Sequence, residues 1–264
     1  MKYKLMAVDM DDTLLDNRGR ISEKTVKIIR NIVQKGVVFT ICTGRPIQGV
    51  EEYCSLLGLK GPVITYNGAV IVDTGTQEVL FAQELTRDDA GKILELGRRY
   101  DTTMCIWADG RLYGNKMNDR IYDYQKLSGV EPQPAGDFEE LLDMGITKIL
   151  WYDEAGKIER FRTQLSPDMF SETAYCTSKP VFLEFFSSRV SKGAALAKIG
   201  DMYGIRREEM VAVGDGLNDL SMIQYAGMGV AMGNAQEEVK RAAQFVTSSN
   251  DQEGVRKVIE TFWQ

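Results

Sequence analysis

Both ends of this chain alternate short apolar runs with amphipathic helical stretches, and its middle does not. Residues 3–8 form an apolar run that reads as a buried strand. Ser22 is placed as an N-cap before a stripe of Val26, Ile29, Ile32 and Val33 that ends at Gly36. Residues 37–42 read as a second strand, and Pro46 suits the first turn of a helix ending near Gly58. Residues 63–66 form a third strand, followed by an Asn67-Gly68 turn and a strand over 69–73. The last third repeats the pattern, with helices over 193–203, 217–225, 236–243 and 254–262 and strands over 211–213, 227–231 and 245–247. Such alternation predicts a parallel sheet with crossover helices, and the two ends are expected to share it.

The middle has a different grammar. Thr86 is an N-cap for a helix running to Tyr100. Residues 102–107, the pair Asp109-Gly110 and residues 111–113 read as a β-hairpin. Strands follow over 146–152, 173–176 and 181–186, with helices near 138–143 and 156–165. This is an α+β insert of domain size, with hinges expected near Gln83-Glu84 and Ser187-Ser188. The expected fold is α/β, a doubly wound, Rossmann-like parallel-sheet core formed by residues 1–83 and 189–264, with the α+β insert over 84–188. Trp107, Trp151 and Met144 are expected in the core of the insert. Tyr113, Asn115, Lys116 and Lys179 are polar residues there that are suited to substrate selection.

The first strand runs into Asp9-Met10-Asp11-Asp12-Thr13-Leu14-Leu15. Open α/β sheets bind ligands at the carboxyl ends of their strands. Carboxylates this close repel, and one is driven protonated unless a cation neutralises them. Mg²⁺ meets that need, as a hard ion that takes oxygen ligands and usually shares them with a substrate phosphate. Taken alone, the stretch also fits a solvated acidic turn. An EF-hand does not fit, because its glycine and glutamate positions counted from Asp9 hold Leu14 and Arg20, and the loop from Asp215 has Leu217 where an oxygen ligand is needed. Gly227 and Gly229 suggest a dinucleotide loop, but the third glycine is replaced by Met232.

Composition removes whole classes of chemistry. Histidine is absent from all 264 residues, so Ser-His-Asp and Cys-His catalysis and histidine-ligated zinc are impossible. Proton transfer must rest on carboxylate, Lys, Tyr or Cys. A net charge of −6 argues against a nucleic-acid surface, which needs clustered Lys and Arg. The four cysteines, Cys42, Cys54, Cys105 and Cys176, are widely separated and are expected to be reduced core or near-core residues of a cytoplasmic protein. No apolar run approaches a transmembrane length, and the first residues lack a signal-peptide pattern.

Three partners of the acidic stretch recur downstream, each at a strand end or a helix start: Thr43-Gly44-Arg45, Lys192, and Gly214-Asp215-Gly216-Leu217-Asn218-Asp219. In order and spacing the set resembles the haloacid dehalogenase-like phosphatases across essentially the whole chain. Ile64-Thr65-Tyr66-Asn67-Gly68-Ala69 and Val230-Ala231-Met232-Gly233-Asn234-Ala235 are similar to the Cof-type subgroup, mostly sugar-phosphate phosphatases with a large cap. One position departs from the family pattern: Asp12 stands where glycine is usual, and Asp tolerates left-handed backbone better than most residues.

The resemblance implies a Mg²⁺-dependent phosphatase of small phosphorylated metabolites, with Asp9 as nucleophile and Asp11 as general acid and base. It implies phosphate contacts from Met10, Thr43, Gly44, Lys192 and Asn218, with Arg45 reaching the substrate, the cap or an acidic neighbour. Metal contacts are implied for Asp9, for the Asp11 carbonyl and for Asp215, while Asp219 holds a metal-bound water or orients Lys192. The 84–188 insert would be the substrate-selecting cap. A phosphomutase and a phospho-accepting signalling module are the alternatives. The receiver-like reading fits poorly, since its acceptor aspartate lies on an interior strand and Asp9 follows the first strand.

Overall fold

The computed structural model describes residues 2–177 and 179–263, and its chain divides into two compact units. One comprises Met1–Arg45, Val50–Phe81 and Ser191–Gln264; the other comprises Pro46–Gly49 and Ala82–Val190.

The first unit opens with β1 (Leu5–Asp9), α1 (Glu23–Gln34), β2 (Val38–Cys42), α2 (Glu51–Leu57), β3 (Pro62–Thr65), β4 (Val70–Asp73) and β5 (Val79–Ala82). The second unit continues through α3 (Arg87–Arg99), β6 (Thr103–Ala108), β7 (Arg111–Gly114), α4 (Asp119–Ser128), β8 (Gln133–Pro134), α5 (Phe138–Met144), β9 (Ile146–Tyr152), α6 (Ala155–Gln164), β10 (Thr173–Cys176) and β11 (Phe182–Ser187). The chain then adds α7 (Lys192–Tyr203), β12 (Met210–Gly214), α8 (Leu220–Tyr225), β13 (Met228–Ala231), α9 (Glu237–Ala242), β14 (Phe245–Val246) and α10 (Gly254–Phe262) to the first unit.

The sheet of the first unit has the order β14-β13-β12-β1-β2-β3-β4-β5. β1 lies between β12 and β2 and is parallel to both, with Leu5 opposite Met210 on one side and Val38 on the other, so Asp9 ends an interior strand and its place does not count against a receiver-like module. Every residue of β1 is buried, as expected of a parallel strand covered on both faces. Leu5 and Ala7 pack with Ala195, Leu196 and Ile199 of α7. The sheet departs from parallel at β4, which returns antiparallel to β3 across a tight turn.

Local chemistry sets the helix limits. Ser22, Thr86 and Ser191 accept hydrogen bonds from Thr25, Asp89 and Ala194 N–H as N-caps. Gly58 and Gly204 close α2 and α7 in left-handed geometry. The expected helix over 217–225 begins as a 3₁₀ turn at Leu217–Asp219 and becomes α-helical only at Leu220.

The six-stranded sheet of the second unit runs β10-β11-β9-β6-β7-β8. Trp107, Trp151 and Phe185 are its largest fully buried aromatic side chains. Met144, expected in this core, is exposed at the end of α5. Cys176 is also exposed, on the edge strand β10, while Cys42, Cys54 and Cys105 are buried; all four are free thiols. Asn115 bonds the Met104 N–H and the Thr102 carbonyl, and Lys116 pairs with Asp101, so both serve the insert's own structure. Tyr113 is buried, and the Lys179 ammonium lies 5.6 Å over the Phe182 ring. Among the described residues no helix is long and apolar enough to cross a membrane.

Candidate active site

The carboxyl ends of β2, β1 and β12 lie side by side, and each delivers a polar group. β1 ends at Asp9, β2 leads into Thr43-Gly44-Arg45, and β12 ends at Gly214 before Asp215. Lys192, the first residue of α7, completes the set. Its Nζ lies 2.5 Å from Asp9 Oδ1 and 2.6 Å from Asp219 Oδ1. The lysine is wholly buried, and Asp9 and Asp219 nearly so. A lysine in a helix's first turn opposes the helix dipole; here two carboxylates hold it there.

Carboxylate oxygens of Asp9, Asp215 and Asp219 lie within 4.8 Å of one another. Burial pushes the Asp9 carboxyl well above the usual range, with Lys192 opposing the shift and Asp219 adding to it. Burial also pushes Asp215 up to about 6, opposed by the Thr13 hydroxyl and reinforced by Asp219 and Asp12. Burial lowers the Lys192 amine, but Asp9 and Asp219 outweigh it and hold the ammonium above its ordinary value. Three crowded carboxylates against one lysine are a donor set that fits a hard divalent cation.

The three acidic side chains are not equivalent. Asp219 Oδ2 accepts the N–H groups of Asp215 and Gly216, both at 2.9 Å, while its Oδ1 accepts Lys192. Its geometry is that of a residue orienting the loop and the lysine. The Asp215 side chain accepts a hydrogen bond from Thr13 Oγ1 at 2.7 Å and is the better placed to ligate. Asp11 points elsewhere: Arg45 grips it through Nε at 3.0 Å and a terminal nitrogen at 2.5 Å. The acidic neighbour of Arg45 is therefore the expected acid-base residue itself. Thr43 is buried, with its Oγ1 accepting the Arg45 N–H. Met10 is buried in the turn that follows β1.

Asp12 occupies left-handed backbone at φ 57°, ψ 8°, the conformation for which glycine is the usual choice. Its carbonyl accepts a hydrogen bond from Asn234 at 2.8 Å. Asn234, Thr13 and Asn67 are the site residues that sequence reasoning assigned no role. Asn67 and Asn234 stand inside the two Cof-type phrases, which was the available signal. Asn218 lies at the rim, its Nδ2 donating to Asn67 Oδ1 at 3.1 Å.

A family model described as haloacid dehalogenase-like hydrolase matches residues 6–259. A 5-amino-6-(5-phospho-D-ribitylamino)uracil phosphatase of Bacillus subtilis (strain 168), YcsE, is 32% identical over 97% of this chain and 94% of its own length. An HMP-PP phosphatase of Serratia proteamaculans (strain 568) is 29% identical over 90% of this chain and 86% of its own. Among solved structures, TM0651 from Thermotoga maritima superposes with a TM-score of 0.91 at 30% identity, covering 99% of this chain and 98% of that one.

Proposed function

We propose a reaction and a substrate class for this chain, which belongs to the haloacid dehalogenase-like hydrolase family and is a phosphatase. The reaction is Mg²⁺-dependent hydrolysis of small phosphorylated metabolites, sugar phosphates among them, through a phosphorylated aspartate. The observation that carries it is the buried Lys192 bridging Asp9 and Asp219 beside Asp215.

An Asp9 oxygen attacks phosphorus, the bond from phosphorus to the leaving oxygen breaks, and an aspartyl-phosphate forms. Asp11 gives its proton to the leaving oxygen. Water then attacks the phosphorus, Asp11 takes its proton, and phosphate departs with Asp9 restored. Both Asp11 oxygens are held by Arg45, so proton donation requires Asp11 to turn out of that grip. Lys192 stabilises the charge on the transferring oxygens from a fixed, buried position, where such a cation is worth far more than in bulk solvent. Thr43 and the Gly44 N–H bind phosphoryl oxygens, and Asp219 keeps Lys192 aimed. Met10 would contribute its backbone to that cradle and Asn218 its carboxamide. Asp9, Asp215 and the Asp11 carbonyl would hold Mg²⁺, which when bound neutralises phosphate charge and orients the phosphoryl group.

The 84–188 insert is read as the cap that selects the substrate. The small phosphorylated compounds named for two relatives support that class, and the reduced thiols fit a cytoplasmic enzyme. The deciding experiment is phosphate release from a panel of sugar phosphates, nucleotides and pyridoxal phosphate, with Mg²⁺ and with EDTA, beside Asp9→Asn. Release that needs Mg²⁺ and disappears in the variant supports the reading. Transfer of the phosphoryl group to a second hydroxyl without free phosphate would replace it with a mutase.

A further inference from the structure

The turn between β3 and β4 touches three of the segments that build the phosphoryl pocket. Tyr66 N–H donates to the Arg45 carbonyl at 3.1 Å, and Asn67 N–H donates to the Thr43 carbonyl at 2.8 Å. The Asn67 carboxamide packs on Gly44 so closely that a Cβ there would lie 3.1 Å from its Nδ2. Its Oδ1 accepts the Asn218 carboxamide at 3.1 Å. Gly68, at φ +108°, lies against the start of α7, where a Cβ would come within 2.3 Å of the Ser191 carbonyl, one residue before Lys192.

This geometry has a direction. Thr43 follows β2 and Asn218 follows β12, and β1 with Asp9 stands between those strands. The Asn67–Asn218 bond thus joins the loops on the two sides of the nucleophile. Asn67 itself sits in left-handed backbone at φ 57°, a conformation asparagine tolerates better than most side-chain-bearing residues.

We infer that Asn67 is a positioning residue for the phosphoryl-transfer reaction, tying the Thr43-Gly44 loop to the Asn218 loop so that both present their donors to one phosphoryl group. The inference rests on the proposed phosphatase reading. A carboxamide pair suits the task, since it is uncharged and fixes the gap without drawing on the charge balance of Asp9, Lys192 and Asp215. Mispositioning of this kind is felt in turnover well beyond the size of the bond itself.

The clean variant is Asn67→Gly, which removes the carboxamide and keeps the left-handed backbone. It is compared with Asn218→Ala and with the double variant. In Asn67→Gly, kcat/KM is expected to fall about ten- to a hundredfold with a smaller change in thermal midpoint, as found for groups that orient catalytic ligands. The apparent affinity for orthovanadate, a phosphoryl mimic, is expected to fall with it. The double variant is expected to be no worse than the poorer single one, because both remove the same bond. Multiplying losses, or unchanged kcat/KM and vanadate affinity in Asn67→Gly, would overturn the inference. If the wild-type protein releases no phosphate from any substrate, the phosphatase reading falls by itself, and vanadate affinity alone then decides the inference: unchanged binding in Asn67→Gly, or none in either protein, ends it.

Discussion

The ammonium of Lys192 lies 2.6 Å from an oxygen of Asp219, and neither side chain is more than 1% exposed. Asp9 meets the same ammonium. Removing the lysine strands two buried carboxylates, so Lys192→Met has two expected consequences. Turnover falls by about 10²–10³, the usual effect of deleting a preorganised charge-stabilising donor. The metal-free fold loses about 3–5 kcal/mol, the cost of breaking a buried ion pair from one side. Urea titration beside steady-state assays checks both, and a variant of wild-type stability would contradict the burial argument.

Asp11→Asn tests the acid role through the leaving group. The variant is expected to lose activity on sugar phosphates, whose alkoxide leaves poorly, far more than on activated aryl phosphates. A general acid contributes about 10²–10⁴ where protonation matters. Equal losses on both substrate types would remove Asp11 from that role.

Asp215 carries a testable pH dependence. Its carboxyl is raised to about 6 from 3.8, chiefly by burial. The native state therefore holds this proton more tightly than the unfolded chain does. The site's contribution to stability is fully present below pH 3.8 and is lost as pH rises through about 6. The metal-free site is thus least comfortable at neutral pH, and a divalent cation competes with that same proton. Mg²⁺ is expected to raise the melting temperature at pH 7.5 and to do so much less at pH 5, as followed by thermal denaturation with and without EDTA. An equal increment at both pH values would show that the cation binds elsewhere.

Asp12→Gly addresses the motif position where the sequence resemblance leads one to expect glycine. Asp12 holds φ 57°, and left-handed backbone costs a side-chain-bearing residue about 1–2 kcal/mol, less for Asp than for most. The variant also removes a carboxylate that raises Asp215. We expect stabilisation of up to about 1 kcal/mol with the Asn234 bond to the residue-12 carbonyl retained, and undiminished turnover. Denaturant midpoints read the first expectation and initial rates the second.

The alternating ends were legible because buried parallel strands are continuous apolar runs and their helices carry capping residues, as at Ser22 and Ser191. α4 escaped notice, although Asn118 caps its start and Gly129 its end. Only Ile121, Tyr124 and Ser128 of its ten residues are buried, too few to mark a periodic stripe. β5 and β8 are short edge strands with little buried surface, and such strands leave almost no pattern. In the site, Asp9, Lys192 and Asp215 could be named because the resemblance to a known family carries them. The pairing of Arg45 with Asp11 and of Asn218 with Asn67 could not, because each joins residues whose proximity is created by strand order and not by separation along the chain.

The central place of β1 bears on how the molecule is made. Leu5 meets Met210 on one flank, so β1 cannot close its sheet until β12, far along the chain, has been made. Until then Leu5 to Val8 offers an apolar strand with an open edge, the kind of surface that draws in other chains. Contacts of such long sequence separation form slowly. Yield in cells will therefore follow how quickly the last third arrives and how well the waiting strand is shielded, quite apart from the stability of the finished enzyme.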